Sequence, residues 1–462
     1  MGEKIRVIDE GLIERQLEAG KKNSKGRILD ILAKARGAKG LEAAEAAALL
    51  QVNDRDLMEE IFREAREVKL KIYGKRLVLF APLYLSNDCQ NNCRYCGFRR
   101  DNRLLARKRL TVEEIRQQVR VLESLGHKRI LLECGESNLS GVDYVAKAIE
   151  AIYGTKNGGG EIRRVNVNIA ATTVENYRRL KAARIGTYQL FQETYHRPTY
   201  EALHDGPKLD YDRQILAHDR AQEAGIDDVG LGVLFGLYDY KFEVMGLLYH
   251  ARHLEEKFGV GPHTISVPRW RPAAGVDFEA PYPVADEDFK KLVAILRLAI
   301  PYTGMIISTR ESAQMRTEAF QLGISQTSAG SCTAPGGYGK AENGDGESEQ
   351  FQVADHRTPD EVIRSICQMG YLPSFCTACY RRGRTGKEFM EMAKPGEIQN
   401  LCAPNAILTF KEYLLDYASV ETRKAGEETL QRHLEDVALG QMREETKKRL
   451  RRIEEGKRDL YF

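Results

Sequence analysis

No run of the 462-residue chain approaches the ~20 consecutive apolar residues that cross a bilayer. The opening stretch MGEKIRVIDE has neither the apolar region of a secretion signal nor the Ser or Thr of a myristoylation signal, so a cytoplasmic location with no membrane partner is expected. An excess of one charge sign is missing too. Seventy Lys and Arg stand against 67 Asp and Glu, a formal net charge of +3, and nothing demands nucleic acid as a partner. The nine cysteines do not form an even set, which argues against a disulfide framework and for metal or redox chemistry. Two nucleotide signatures are incomplete. GLGVLFG lacks the third Gly of a dinucleotide fingerprint. APGGYGKAENGDGE has Ala334 and Ala341 where a phosphate loop needs Gly and Ser or Thr, and it reads as an ordinary mobile loop.

What is present is a change of period. Residues 1–75 are rich in Ala, Glu, Lys and Arg and read as a helical N-terminal extension. From Arg76, eight β-rich runs alternate with helical segments: RLVLFAPLYL, RILLECG, RVNVNIA, TYQLFQE, VGLGVLFG, HTISVPR, GMIISTR and GISQTSAG. This order predicts an α/β fold, a parallel (βα)8 barrel over 76–355. Helix starts are signalled by Thr111 with Glu114, by Thr172 with Glu175, and by Thr358 with Pro359 and Glu361. Barrel chemistry sits at the C-terminal strand ends, which directs attention to Cys89, Glu136, Thr172, Glu193, Arg269 and Arg310. Residues 356–462 turn helical again, interrupted by SFCTACYRRGRTG and NLCAPNA, and the last forty are expected to form a charged amphipathic helix packed on the barrel.

The segment CQNNCRYCG brings Cys89, Cys93 and Cys96 into one loop with no fourth cysteine nearby. A structural zinc site wants four ligands, and a complete cubane takes one per iron. Three cysteines therefore leave one iron open to an exogenous ligand. CxxxCxxC with Tyr95 before the third cysteine, directly after the first strand, resembles the radical S-adenosylmethionine (SAM) superfamily. The resemblance implies a 4Fe-4S cluster whose open iron binds the amino and carboxylate groups of SAM, and reductive cleavage of SAM to a hydrogen-abstracting radical. CGES resembles the family's Gly-Gly-Glu segment, with Cys134 in place of the first Gly; Gly135 and Glu136 would then hold the SAM ammonium. Cys134 itself reads as a buried thiol. Glu193, in FQETYH, would accept from the SAM ribose or the substrate, or form a rim salt bridge. The small residues of GLGVLFG would let the adenosyl group lie close to the fifth strand.

Cys376 and Cys379, with Cys402 further on, form CxxC-x22-C. Alone this fits a zinc ribbon lacking a ligand, a redox pair or a second three-cysteine cluster site; the recurrence of three favours the last. Cys332 and Cys367 are left as structural residues. The whole pattern resembles the HydG family of FeFe-hydrogenase maturases, radical SAM tyrosine lyases related to ThiH, which lacks the cysteine tail. The resemblance implies Cα–Cβ cleavage of L-tyrosine to p-cresol and dehydroglycine. Carbon monoxide and cyanide then form on a second, auxiliary 4Fe-4S cluster in the C-terminal domain, which carries an additional labile iron bridged by a free cysteine. It also implies a reductant such as ferredoxin or flavodoxin, and other hydrogenase maturation proteins as partners. A buried substrate carboxylate needs a cation. Arg310, with Ser308 and Thr309, is the candidate by its forked geometry, against a rim pair with Glu311. Tyr84 would line the same pocket or the core. His263 would hold the labile iron, with His250 and His253 as substitutes. Rival readings are a ThiH-type lyase serving thiamine synthesis, a sulfur-inserting enzyme of the biotin-synthase type, and a non-catalytic iron-sulfur or zinc protein.

Overall fold

The computed structural model describes residues 7–158, 160–339, 348–437 and 440–462. The first residues of the opening stretch, and Lys340 and Ala341 of the Gly-rich loop, lie outside them.

Eight parallel strands close into a barrel: β1 (Arg76–Ser86), β2 (Arg129–Cys134), β3 (Arg164–Asn168), β4 (Tyr188–Gln189), β5 (Val229–Gly232), β6 (Thr264–Ser266), β7 (Gly304–Ile307) and β8 (Gln326–Ser328). Closure is made by β8 against β1, with Val78 opposite Gln326 and Phe80 opposite Ser328. Each strand falls within one of the eight predicted runs, except that β1 extends one residue beyond its run, to Ser86. Helices cover the outside, which is why the strands read as nearly continuous apolar runs; in β1 every residue after Arg76 is buried. Phe80, Leu131 and Ile306, from β1, β2 and β7, meet as a separate apolar cluster.

A ninth strand, β9 (Leu372–Ser374), lies parallel to the start of β1 and was not expected from the sequence. It ties the C-terminal helices to the mouth of the barrel formed by the strand N-termini. The N-terminal extension is four helices, Glu10–Gly20, Lys25–Ala35, Ala43–Leu50 and Arg55–Tyr73, packed on the barrel helices Tyr240–Phe258, Asp286–Ala299 and Ala313–Leu322.

Both side chains of the capping boxes at Thr111/Glu114 and Thr358/Glu361 bond as predicted. The third signal needs correction. Thr173, not Thr172, caps the helix Val174–Ala182 by accepting from the Asn176 N–H, and Glu175 makes no capping box. Two adjacent threonines leave the register open, and the Thr172 N–H is used by the Tyr177 hydroxyl instead, at 3.2 Å. NLCAPNA does not interrupt a helix: Gln399–Asp416 is continuous through Pro404, which sits one turn past its start and so forfeits few backbone bonds. The last forty residues form parts of two helices, Val420–Asp436 and Gln441–Glu454, which pack on Gln399–Asp416 and Pro359–Gln368 rather than on the barrel.

Candidate active site and a second cysteine cluster

The loop after β1 is pinned by asparagines. Asn87 accepts from the Lys108 N–H at 2.6 Å and donates to the Ala106 carbonyl at 2.9 Å. Asn91 donates to Glu136 at 2.7 Å and accepts from the Lys208 N–H at 2.8 Å. The Gln90 N–H donates to the Glu136 carbonyl, 2.7 Å away. So the segment after β2 holds the cysteine loop from the side. At Gly135 a Cβ would stand 2.3 Å from the Asp88 carbonyl oxygen, closer than any side chain is tolerated. Gly135→Ala is therefore expected to push the two loops apart and destabilise the fold by about 1–3 kcal/mol, read by chemical denaturation.

Cys89, Cys93 and Cys96 all line one cavity at the C-terminal mouth, of about 200 Å³. Cys89 and Cys96 pack against Tyr84, Phe98 and Leu105; Cys93 and Cys96 pack with Tyr95, Leu203 and Leu234. No disulfide joins them. Burial pushes the thiols up, Cys96 to about 11; Cys89 adds to the rise at Cys96, and both add to it at Cys93. Nitrogen donors nevertheless point at sulfur: Asn91 Nδ2 at 3.7 Å from Cys89 Sγ and Gln350 Nε2 at 3.9 Å from Cys96 Sγ. Three thiols, Cys93 buried and Cys89 and Cys96 half-buried with donors of their own, fit a cationic inorganic core that would hold all three as thiolates. Among the described residues no three His, Cys, Asp or Glu side chains are gathered as for a single metal ion.

The same cavity brings together Tyr84, Tyr95, Gly135, Glu136, Glu193, Ser308, Thr309 and Arg310. Tyr95 donates to or accepts from His204 at 2.8 Å. Glu136 is bound by Arg213 at 2.6 Å as well as by Asn91. Glu193 sits at φ +69°, a left-handed conformation rare for a non-glycine residue, and its carboxylate takes the Lys208 ammonium at 2.6 Å. Burial works against the Lys208 charge, yet Glu193, Cys93 and Tyr200 raise its proton affinity above the ordinary lysine value. Tyr84 is buried and donates to Gln350 Oε1 at 2.8 Å.

Arg310 is held over the Phe351 ring, 3.3 Å from its centroid. Its guanidinium has no hydrogen-bonding or ion-pair partner among the described residues. The alternative of a pair with Glu311 is overturned, because Glu311 is taken by Arg269 Nε at 2.9 Å and by Arg271 at 3.2 Å. Arg269, also paired with Asp286 at 2.7 Å, is thus a rim residue, and neither it nor Thr172 reaches the cavity. Cys134 is half-buried, packing against the main core and also lining the cavity.

Sequence reasoning missed Asn91, Lys208, Gln350 and Glu133. The last, at the end of β2, is pushed up to about 8 by burial and is drawn back by Asn168 and Arg310. A carboxylate at the end of a barrel strand was a readable signal there. Gln350 lies in a loop and Lys208 in the short 3-10 helix Pro207–Leu209, and nothing in their local pattern marks them.

The second trio lies at the other mouth. Cys376, Cys379 and Cys402 interact electrostatically with one another and with Arg76, the first residue of β1. Arg129, the first residue of β2, donates to the Cys376 carbonyl at 2.8 Å, and the Ala378 N–H to Cys376 Sγ at 3.4 Å. A hydrogen bond from Cys379 lowers Cys402 to about 6, with Arg76, Arg384 and Arg129 favouring the thiolate. Burial raises Cys376, and Cys379 is raised by its bond to Cys402; three thiols brought together beside Arg76, Arg384 and Arg129 fit an iron-sulfur core that would hold them as thiolates.

His263, just before β6, belongs to this end. It is buried, 3.5 Å from Asp228 through Nδ1, with Phe389 at 4.4 Å and Tyr380 at 6.2 Å between ring centroids. The Tyr380 ring also carries the Arg164 guanidinium at 3.9 Å. The substitutes are engaged elsewhere: His250 with Tyr195 at 3.0 Å and His253 with Asp219 at 2.8 Å. Cys367 is buried in the main core and Cys332 is half-buried, its thiol 3.6 Å from the Ala334 carbonyl.

The family model of the radical SAM superfamily matches residues 83–246, and that of the biotin and thiamin synthesis associated domain matches residues 266–372. The chain is 32% identical over 346 residues to the 2-iminoacetate synthase of Salmonella typhimurium, covering 74% of this chain and 88% of that one. Among solved structures it is similar to a crystal structure of HydG, a maturase of the FeFe-hydrogenase, with TM-score 0.95 and 58% identity over 99% of this chain and all of that one. The maturase HydG from Carboxydothermus hydrogenoformans aligns with TM-score 0.84 and 42% identity, over 96% of this chain and 98% of that one.

Proposed function

The chain belongs to the HydG family of radical SAM enzymes, and from that premise we propose that it cleaves L-tyrosine to p-cresol and dehydroglycine and works the second fragment up to carbon monoxide and cyanide at the other end of its barrel. The observation that carries this reading is the pair of three-cysteine sites at the two mouths of one closed barrel, with an unpaired arginine beside the first. The Salmonella relative covers only 74% of the chain, whereas the HydG structures extend over nearly all of it, which favours a maturase over a lyase for thiamine synthesis.

Cys89, Cys93 and Cys96 would hold the SAM-binding 4Fe-4S cluster, which when bound supplies the electron for homolytic cleavage of SAM. The residues of the chain bind and orient. Glu136, kept in place by Arg213 and Asn91, presents its carboxylate for the SAM ammonium. Glu193, anchored by Lys208, offers an acceptor for a ribose hydroxyl. Arg310, with Ser308 and Thr309, takes the tyrosine carboxylate, and Tyr84 closes the pocket wall. The apolar walls from Phe98, Leu190 and Leu234 keep water from a reactive radical.

At the other mouth, Cys376, Cys379 and Cys402 would hold an auxiliary cluster, and His263 the additional iron beside it, with a free cysteine as bridge. The buried imidazole Nδ1 lacks a hydrogen-bonding partner, and Asp228 stands close enough to orient it. For His263→Ala the expected result is loss of the extra iron with both cubanes retained, read by iron analysis and electron paramagnetic resonance. Persistence of that iron would assign it to another residue.

The function is tested by oxygen-free reconstitution with SAM, dithionite and isotopically labelled L-tyrosine. 5′-Deoxyadenosine and p-cresol in equal amounts are expected, followed by labelled carbon monoxide and cyanide. Iron sufficient for only one cluster, or a sulfur-inserted product, would overturn the assignment.

A further inference from the structure

Residues 94–109, RYCGFRRDNRLLARKR, carry seven Arg and Lys against one Asp, a local net charge of +6 in a chain whose formal total is +3. Only two of the seven are neutralised: Arg100 by Asp101 and Asp205, and Lys108 by Glu114. Arg94, Arg99, Arg103, Arg107 and Arg109 meet no carboxylate among the described residues. Arg107 spends its guanidinium on carbonyls, at 2.7 Å from Asn87 O and 2.8 Å from Phe98 O. Arg109 donates to the Leu139 carbonyl at 2.6 Å and lies over the Tyr144 ring. Such neutral partners hold the side chains in place and leave their charge uncompensated.

Among the described residues few large apolar side chains are exposed, and two of them belong here: Leu104, at 58%, within the segment itself, and Leu139, at 62%, whose carbonyl takes the Arg109 guanidinium. Exposed leucines among arginines that meet no described carboxylate have the anatomy of a protein interface more than of a phosphate-tracking groove. Its position is equally informative. Behind Leu104, the neighbouring Leu105 and Phe98 pack directly on Cys89 and Cys96, and the Arg99 N–H donates to the Cys96 carbonyl at 3.1 Å. One layer of side chains separates the patch from the thiols.

We infer that this face is the docking surface for a small acidic one-electron carrier protein. The inference rests on the proposed radical SAM chemistry, in which one electron leaves the carrier for each SAM cleaved. Positive charge around the patch steers an acidic partner and fixes its orientation, with Leu104 and Leu139 as the desolvated centre of the contact.

The test uses the reconstituted full-length protein with flavodoxin as the probe, and reads binding by biolayer interferometry at low and high salt. Arg103→Glu is expected to weaken flavodoxin binding about tenfold and to flatten its salt dependence, and Leu104→Ser to weaken it about threefold at either salt. The flavodoxin concentration for half-maximal 5′-deoxyadenosine formation should rise in parallel. With dithionite in place of flavodoxin, both variants should cleave SAM within about twofold of the parent rate. Unchanged flavodoxin binding in both variants would overturn the inference. So would displacement of flavodoxin by a DNA duplex that itself loses affinity in Arg103→Glu, which would mark a nucleic-acid surface. If the parent fails to cleave SAM with dithionite, the proposed function falls, while the binding measurement still judges the surface.

Discussion

Cys96→Ala is expected to reduce SAM cleavage below detection, whereas the double variant Cys376→Ala/Cys379→Ala retains p-cresol formation within about tenfold of the parent and loses carbon monoxide and cyanide altogether. The contrast follows from placement. Cys96 is the thiol shared by both apolar clusters around the first site, touching Phe98 on one side and Tyr95 on the other. Its removal leaves two buried thiols, both pushed up by burial, with the Lys208 charge already held by Glu193. That set cannot retain a cubane that needs one protein ligand for each of three irons. The second trio is held by other elements: β9, the short helix Ala378–Arg381 and the helix Gln399–Asp416. Its removal disturbs the N-terminal mouth, where Arg76 and Arg129 would lose their anionic partners, and leaves the cavity at the C-terminal mouth intact. Mass spectrometry of 5′-deoxyadenosine and p-cresol, with trapping of carbon monoxide on haemoglobin, separates the two outcomes. Equal loss of p-cresol and carbon monoxide in the double variant would show that the two ends do not divide the work.

The barrel was legible because each parallel strand is buried on both faces and announces itself as an apolar run; even β4, two residues long, sits in TYQLFQE. The cysteine spacing exposed the first trio because one short loop supplies all three; in the second only Cys376 and Cys379 are close in sequence, and Cys402 comes from the separate helix Gln399–Asp416. β9 was hidden: LPS has neither length nor alternation, and its strand exists only because the edge of β1 extends beyond the barrel to receive it. The Thr172 error has a comparable origin. Two threonines offer the same hydroxyl one residue apart, and only the placement of Tyr177 against Tyr188 settles which one caps. The supporting side chains at the site were the least readable. Gln350 reaches Tyr84 from a loop 266 residues along the chain, and Lys208 folds back on Glu193 from a short turn of helix 15 residues on; neither approach is marked in the local pattern.

Arg310→Met should lower kcat/KM for L-tyrosine by on the order of 10²–10⁴-fold, the rate equivalent of the ~3–5 kcal/mol lost when a buried charge is deprived of its partner. Arg310 is half-buried, and its desolvation lowers the guanidinium's affinity for the proton, which the surrounding Tyr84, Glu193 and Glu133 only partly offset. Among the described residues no carboxylate bonds it, and Glu311, the obvious neighbour, is committed to Arg269 and Arg271. A cation kept in such a pocket without a protein partner is set to receive an anion from outside, and stacking on Phe351 aims its fork into the cavity. Arg310→Lys keeps the charge but loses both the fork and the stacking, so an intermediate defect is expected. The decisive comparison is with tyramine, which lacks the carboxylate. The parent should discriminate strongly between tyrosine and tyramine in binding, and Arg310→Met should bind the two alike while still cleaving SAM slowly without substrate. If Arg310→Met keeps the parent's preference for tyrosine, the carboxylate is held elsewhere, and Lys208 becomes the residue to test.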